Sequence, residues 1–267
     1  MSSAPQPRAI LLGISSIICA MLALWELLGR ANRSIAFFFS YPSAVASDLA
    51  TGLLTDGLWY DALVTLFPAA LGLITGALAG GAAGLAIIAR PALARAVEPV
   101  IAALGAFPVF AIAPMTLIWF GLDLQPKIFL AFLSCVFVFL AAAYRGGLSV
   151  PPAILDHLAV HGFTARDELL KVRLPYALDW LFAAGRTGAN LALLGVFIGE
   201  FVASQNGLAR VMLNAGALYN VKRVLASAIL FTILALLLMG AVNLLYRHRL
   251  RILRRVSVPS SSRIGKG

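Results

Sequence analysis

The sequence predicts an all-α, polytopic membrane protein with six transmembrane helices, and three observations carry that prediction. The 267-residue chain is 61% hydrophobic and only 12% charged, whereas soluble domains are roughly 45–50% apolar and about 25% charged. Its apolar residues gather into stretches long enough to cross a hydrocarbon core of ~30 Å, which takes about 20 helical residues. Its net charge of +10, in a chain of mean hydropathy +0.93, marks cytoplasmic loops and anionic lipid headgroups rather than nucleic acid. Two cysteines cannot staple a chain of this length, so a disulfide scaffold is excluded along with disorder and collagen-like repeats.

Six stretches satisfy the length test, each as a helix that pairs its own backbone groups as hydrocarbon demands. The first, 9–28, is interrupted only by Glu26. It is too long for the apolar core of a signal peptide and lacks an obvious cleavage site, so it is read as an uncleaved span. The second, 62–89, carries no charge and must tilt or extend beyond the bilayer. The third, 99–122, contains Pro108 and Pro114, each of which removes a backbone donor. A kinked or partly irregular helix is expected there, covered by protein or a water-filled cavity. The fourth, 128–144, is the shortest; the fifth, 177–202, carries Asp179, Arg186 and Glu200; the sixth, 224–246, is uncharged. Together they predict one transmembrane domain over 1–256. The serine-rich tail 257–267 reads as a disordered cytoplasmic end. Cys19 and Cys135 fall within spans, where a small packing residue is expected.

Six crossings put both termini on one side. Fourteen Lys and Arg residues fall on that side and six on the other, where Lys127, Lys222 and Arg223 are counted as loop residues. The positive-inside rule then places both termini in the cytoplasm, with the basic tail deciding the matter. The basic run from Arg247 to Arg255 reads as contact with anionic lipid, not as a nucleic-acid arm.

Helices in lipid associate through close packing at small residues. Gly72, Gly76, Gly80 and Gly84 recur every fourth residue along one face of the second span, and Gly185, Gly188, Ala192, Gly195 and Gly199 form a seam on the fifth. Each glycine costs roughly 1 kcal/mol of helix propensity against alanine, so something approaches closely at these faces. Intrachain packing and a homodimer seam or gate are both compatible with the pattern.

The most informative stretch is the polar segment 146–175. Pro151 and Pro152 open a short helix running to about His161, after which Gly162 suits a left-handed position. Thr164 to Asp167 fits a capping box for a second helix, which Leu174–Pro175 is expected to end before the fifth span. Two short helices at a fixed angle suit transmission of force from a partner better than they suit a small molecule.

The run from Asp156 to Gly162 (Asp-His-Leu-Ala-Val-His-Gly), followed by Leu174–Pro175, resembles the "EAA" loop of ABC importer permeases. Trp25-Glu26, Tyr41-Pro42-Ser43, Phe107-Pro108 through Pro114 to Trp119-Phe120-Gly121, Gly185-Arg186, Glu200 and Asn206-Gly207-Leu208 resemble the sulfonate/taurine/nitrate branch of that family. The likeness covers roughly residues 20–250. Asp156, His157 and Leu158 stand in place of Glu-Ala-Ala, and Ala209 in place of a glycine, while Gly162 is retained. The resemblance implies a type I importer fold and a permease subunit that pairs with a second copy of itself. It implies docking on an ABC ATPase subunit, in two copies, through Asp156, His157, Leu158, Ala159, His161, Gly162 and Arg166. It also implies an extracytoplasmic substrate-binding protein that delivers a small solute such as an organic sulfonate, taurine, nitrate or a pyrimidine precursor.

The chain has no G-x-x-x-x-G-K-[ST] loop, so ATP hydrolysis is expected on the partner and no enzymatic activity or cofactor on this subunit. His157 and His161 share a helix face at a spacing that can hold zinc, but no third ligand lies nearby in sequence and no metal is expected. Arg186 and Glu200, 14 residues apart, lie ~21 Å apart along one helix and cannot pair with each other. Ionisable groups within spans are expensive unless paired or wet. Arg186, with Asn190 one turn on, is a candidate for the substrate path; Glu200 either joins that path or snorkels to the interface. An ion-driven secondary transporter or channel is the alternative, disfavoured by the scarcity of carboxylates within the spans and by no apparent inverted repeat.

Overall fold

The structure, a computed structural model, describes residues 7–122 and 124–256. The expected tail at 257–267 lies outside the described residues. Those described fold into helices joined by short turns, with no β-strand among them. In chain order these are α1 (Pro7–Ala31), α2 (Arg33–Phe39), α3 (Pro42–Leu54), α4 (Leu58–Ile88), α5 (Pro91–Gly105), α6 (Val109–Phe120) and α7 (Leu124–Leu148). There follow α8 (Pro152–Val160), α9 (Ala165–Glu168), a π-helical turn at Leu169–Arg173, α10 (Leu174–Ala203), α11 (Leu208–Ala217) and α12 (Val221–Val256). Among the described residues, five helices are long and apolar enough to cross a membrane, or six when the bent pair α5–α6 counts as one span. The pair turns through 78°. Its break falls where Pro108 has no N–H to offer, and the preceding Phe107 N–H bonds only three residues back, to Leu104 O, at 3.2 Å.

The helices group into two compact units, one comprising residues up to 64 with 206–232 and the other 65–205 with 233 onward. In the second unit α7 is the central rod. Thirteen of its residues are buried, among them Ala131, Cys135, Phe139 and Ala143 on one face. The α4 glycines press against it: a Cβ on Gly72 would collide with Ala131 Cβ, on Gly76 with Cys135 Sγ (2.5 Å), on Gly80 with Val136 O and on Gly84 with Ala143 Cβ (2.7 Å). Gly188, Gly195 and Gly199 of α10 back onto Phe139, Leu130 with Ala131, and Lys127 of the same rod, while Gly185 receives Val242 of α12. Both stripes are thus occupied within the chain, and backbone approaches backbone as lipid-embedded helices require. Buried Tyr144 donates its hydroxyl hydrogen to Ala94 O (2.8 Å), fastening α5 to α7 around a cluster with Ile88, Ile101 and Leu140.

In the first unit, α1 is nearly bare along its membrane-length stretch and attaches at its Ala31 end. Glu26 accepts from the Ser43 backbone N–H (2.9 Å) and hydroxyl (2.6 Å) and pairs with Arg30 (2.5 Å). Trp25 Nε1 donates to Ser40 O at 3.2 Å. Asn32 caps α2, Pro42 opens α3, and Arg223 of α12 holds Asp48 (2.8 Å) and Asp56, which leaves the Asp56 carboxyl below its ordinary range. The Gly207 N–H, at φ +119°, donates to Asp61 Oδ1 at 2.7 Å and orients the start of α11. The helices α2, α3 and α11, of seven to thirteen residues, are too short for a membrane-length apolar signal to report.

Two expectations need correction here. Lys127, counted as a loop residue, lies inside α7 and is 1% exposed. The helix begins before its apolar run, with Pro126 tolerated in the first turn. Leu174–Pro175 does not end a helix either, since α9, the π turn and α10 form one unbroken rod from Ala165 to Val202. Proline lacks the N–H that an α-helix would direct at Lys171 O. The chain accommodates this by widening the preceding turn, with Leu174 N–H bonding five residues back to Leu169 O.

Candidate functional site

The polar elbow between α7 and α10 is built from local chemistry. Pro151 is extended (φ −58°, ψ 134°) and Pro152 sits in the first turn of α8, where its missing donor costs nothing. The helix ends in paired capping bonds, Phe163 N–H to Leu158 O and Gly162 N–H to Ala159 O, both 3.2 Å, with Gly162 left-handed at φ +72°. Thr164 then opens α9 with a reciprocal capping box: its hydroxyl accepts from Asp167 N–H and donates to Asp167 Oδ2 at 2.6 Å. Lys171 lies 2.6 Å from Asp167 Oδ1. These hydrogen bonds, that from Lys171 foremost, hold the Asp167 carboxyl down to about 2. Arg173 bonds Glu168 (2.6 Å) and reaches Gly147 O (3.1 Å), strapping the π turn to the end of α7.

On this braced frame, α8 has no buried residue. Asp156, His157, Ala159, His161, Gly162 and Arg166 are exposed and Leu158 is half-buried. Val160 is 84% exposed, with Ile154 and Phe163 also turned outward. His161 Nδ1 donates to His157 O (2.8 Å) and the two rings lie 4.2 Å apart. No group of three or more His, Cys, Asp or Glu that could hold a metal occurs among the described residues. The elbow is thus stiff and exposed, with apolar tips and two imidazoles, and it projects from two long helices.

The charged groups within the spans separate into two places. Exposed Arg186 donates from Nε to Asn243 Oδ1 (2.6 Å), an inter-helix bond between α10 and α12, and Asn190 is exposed one turn on. Glu200 is fully buried, which removes the snorkelling alternative. Its Oε1 accepts from the Thr65 hydroxyl at 2.8 Å and lies 3.5 Å from Lys127 Nζ. Thr65, Lys127 and Glu200 join α4, α7 and α10 at one level. Sequence reasoning missed Thr65, Lys127 and Asn243. Pro126, a first-turn marker, could have brought Lys127 inside the helix, but nothing local marks Thr65 or Asn243.

Membrane-length helices packed through glycine, a broken apolar pair and an exposed elbow define the transmembrane subunit of a transporter. Residues 72–251 match the family model for the binding-protein-dependent transport system inner membrane component. The chain is 33% identical to a probable ABC transporter permease protein of Haemophilus influenzae, over 87% of this chain and 94% of that one. It is 32% identical to the riboflavin transport system permease protein RibX of Chloroflexus aurantiacus, over 79% and 76%. It is 25% identical to the putative aliphatic sulfonates transport permease protein SsuC of Bacillus subtilis, over 86% and 84%. In fold it is similar to a chain of the MetNI methionine ABC transporter in an inward-facing conformation, with a TM-score of 0.58 at 22% identity, covering 78% of this chain and 98% of that one. The chain belongs to the family of binding-protein-dependent inner-membrane transport components. It is a multi-pass ABC importer permease, and the reading as an ATP-independent secondary transporter is set aside.

Proposed function

We propose that this permease imports a small solute, an organic sulfonate, taurine, nitrate or a related compound, as a dimer of two identical chains with both termini in the cytoplasm. Two copies of a separate ATPase dock on α8, and an extracytoplasmic binding protein delivers the solute. The observation that carries the reading is the elbow. Its α8 buries no residue in its own chain, while its base is tied to α7 through Arg173 and is continuous with α10. ATP-driven movement of the docked subunit would then reach two long helices together. Asp156, His157, Leu158, Ala159, His161, Gly162 and Arg166 form the proposed contact, and Arg186 with Asn190 the polar group of the proposed path.

The solute class rests on the likeness to SsuC. The higher identity to RibX favours a second reading, a planar heterocycle such as a flavin or pyrimidine. The deciding experiment reconstitutes the permease with its ATPase and binding protein in liposomes. ATP-dependent uptake of a sulfonate and not of riboflavin supports the first class, and the reverse supports the second. Uptake without the ATPase would overturn the coupling itself. Arg186→Ala should reduce uptake, and unaltered uptake would remove Arg186 from the path.

A further inference from the structure

Two cavities of opposite character flank α2 within the first unit. One, of about 570 Å³, is polar: Arg30 and Lys222 line it together with Ser43, Ser47 and Tyr219, and no acidic side chain is on its wall. The carboxylates that partner the two cations, Glu26 and Asp48, do not line the cavity. Asp48 is held closely by Arg223 (2.8 Å), leaving the Lys222 ammonium at 3.8 Å. Arg30 spends one donor on Glu26 and one on Ser43, out of five. The second cavity, about 360 Å³, is lined only by apolar or aromatic residues, among them Met21, Leu24 and Leu28 of α1 and Ile35 and Phe39 of α2. The two are separated by one strip of chain. Ala36, Phe37 and Ser40 face the polar cavity, Ile35 and Phe39 the apolar one, and Trp25 is bonded to Ser40 O between them.

We propose that this pair of cavities is a binding site for an anionic phospholipid, with the phosphate beside Arg30 and Lys222 and one acyl chain along the α1–α2 groove. A soluble anion would satisfy the cations, but it would leave the groove empty, with Phe39 on its wall 65% exposed. Trp25, Tyr41 and Tyr219 beside Arg30 and Lys222, at the end of a membrane-length helix, match the Trp and Tyr belt of the bilayer interface. The bare flank of α1 gives an acyl chain a continuous apolar surface. A cationic wall without a carboxylate selects an anionic headgroup over a zwitterionic one.

The test is native mass spectrometry of the full-length chain released from detergent, titrated with phosphatidylglycerol, phosphatidylcholine or soluble glycerol 3-phosphate. Phosphatidylglycerol should be retained about five-fold or more tightly than phosphatidylcholine, and Lys222→Ala should weaken it about five-fold. Phe39→Ser should weaken both lipids, while Arg90→Ala, a charge removed elsewhere, should weaken neither. Equal retention of the two lipids, or retention unchanged in Lys222→Ala, would overturn the proposal. Glycerol 3-phosphate binding as tightly as phosphatidylglycerol would overturn it as well, by showing a soluble-anion site.

Discussion

Gly80 and Gly162 both lack a side chain, but for opposite reasons. A Cβ on Gly80 would run into Val136 O and come within 2.9 Å of Leu140 N, whereas one on Gly162 would meet nothing within 4 Å. In the α4–α7–α10 seam, glycine is demanded by space; in the elbow it is demanded by a left-handed backbone at φ +72°. The ion pairs divide the same way. Lys127 and Glu200 are shut away from water, while Asp167 and Lys171 sit at the surface. The seam therefore carries the packing of the bundle and the elbow carries the proposed partner contact, so substitutions in the two regions should separate folding from coupling.

The strongest way to sharpen that contrast is Lys127→Met. Leaving Glu200 buried without its cation should cost about 3–5 kcal/mol, read as a lowered unfolding midpoint in detergent. Lys127→Met with Glu200→Met should recover most of the loss, because no buried charge then remains unmatched. A single variant as stable as the parent would mean that the pair does not hold the seam.

Next in size is Gly80→Leu, where backbone blocks the new side chain and the cost should be about 1–3 kcal/mol. It should appear as a reduced yield of monodisperse protein and a lower melting temperature. Gly162→Val should cost less, about 1–2 kcal/mol of local strain. It should leave the chain inserted and monodisperse while co-purification of the ATPase falls, with Gly162→Asn retaining more of the partner. Equal damage to folding from Gly80→Leu and Gly162→Val would erase the distinction.

The smallest effect concerns Asp167. Its carboxyl titrates at about 2 in the folded chain, below the ~3.9 of an unfolded one. Its support for the α9 start is therefore complete above pH ~4 and is lost as pH falls from there towards 2. Protection factors at residues 164–168, which divide out the intrinsic pH dependence of amide exchange, should fall over that interval, and Thr164→Ala should bring the fall to higher pH. Protection factors that do not change between pH 5 and 2 would show the cap to be inconsequential.

Features set by neighbours in the chain were legible. The Thr164–Asp167 box, the left-handed Gly162 and the break before Pro108 each depend on residues within one or two turns. The glycine stripes were legible as close-approach faces, but not which rod fills them. What could not be read was pairing at a distance. Thr65, Lys127 and Glu200 meet across 135 residues, and a lone lysine beside an apolar run looks like a loop cation until its partner is known. Pro175 misled in the other direction. A proline early in a helix stops it only if the turn before it cannot widen, and at Leu169–Arg173 it does. The short α2, α3 and α11 went unseen because seven to thirteen half-apolar residues carry no membrane-length signal.

The unbroken rod from Ala165 to Val202 spans 38 residues, or about 57 Å. Under the proposed docking, a pivot of roughly 5° at the elbow end would sweep the far end through about 5 Å, close to a full helical pitch. Glu200 rides at that far end with Lys127 fixed beside it, so a slight tilt at the elbow would carry the pair bodily across the opposite side of the bundle.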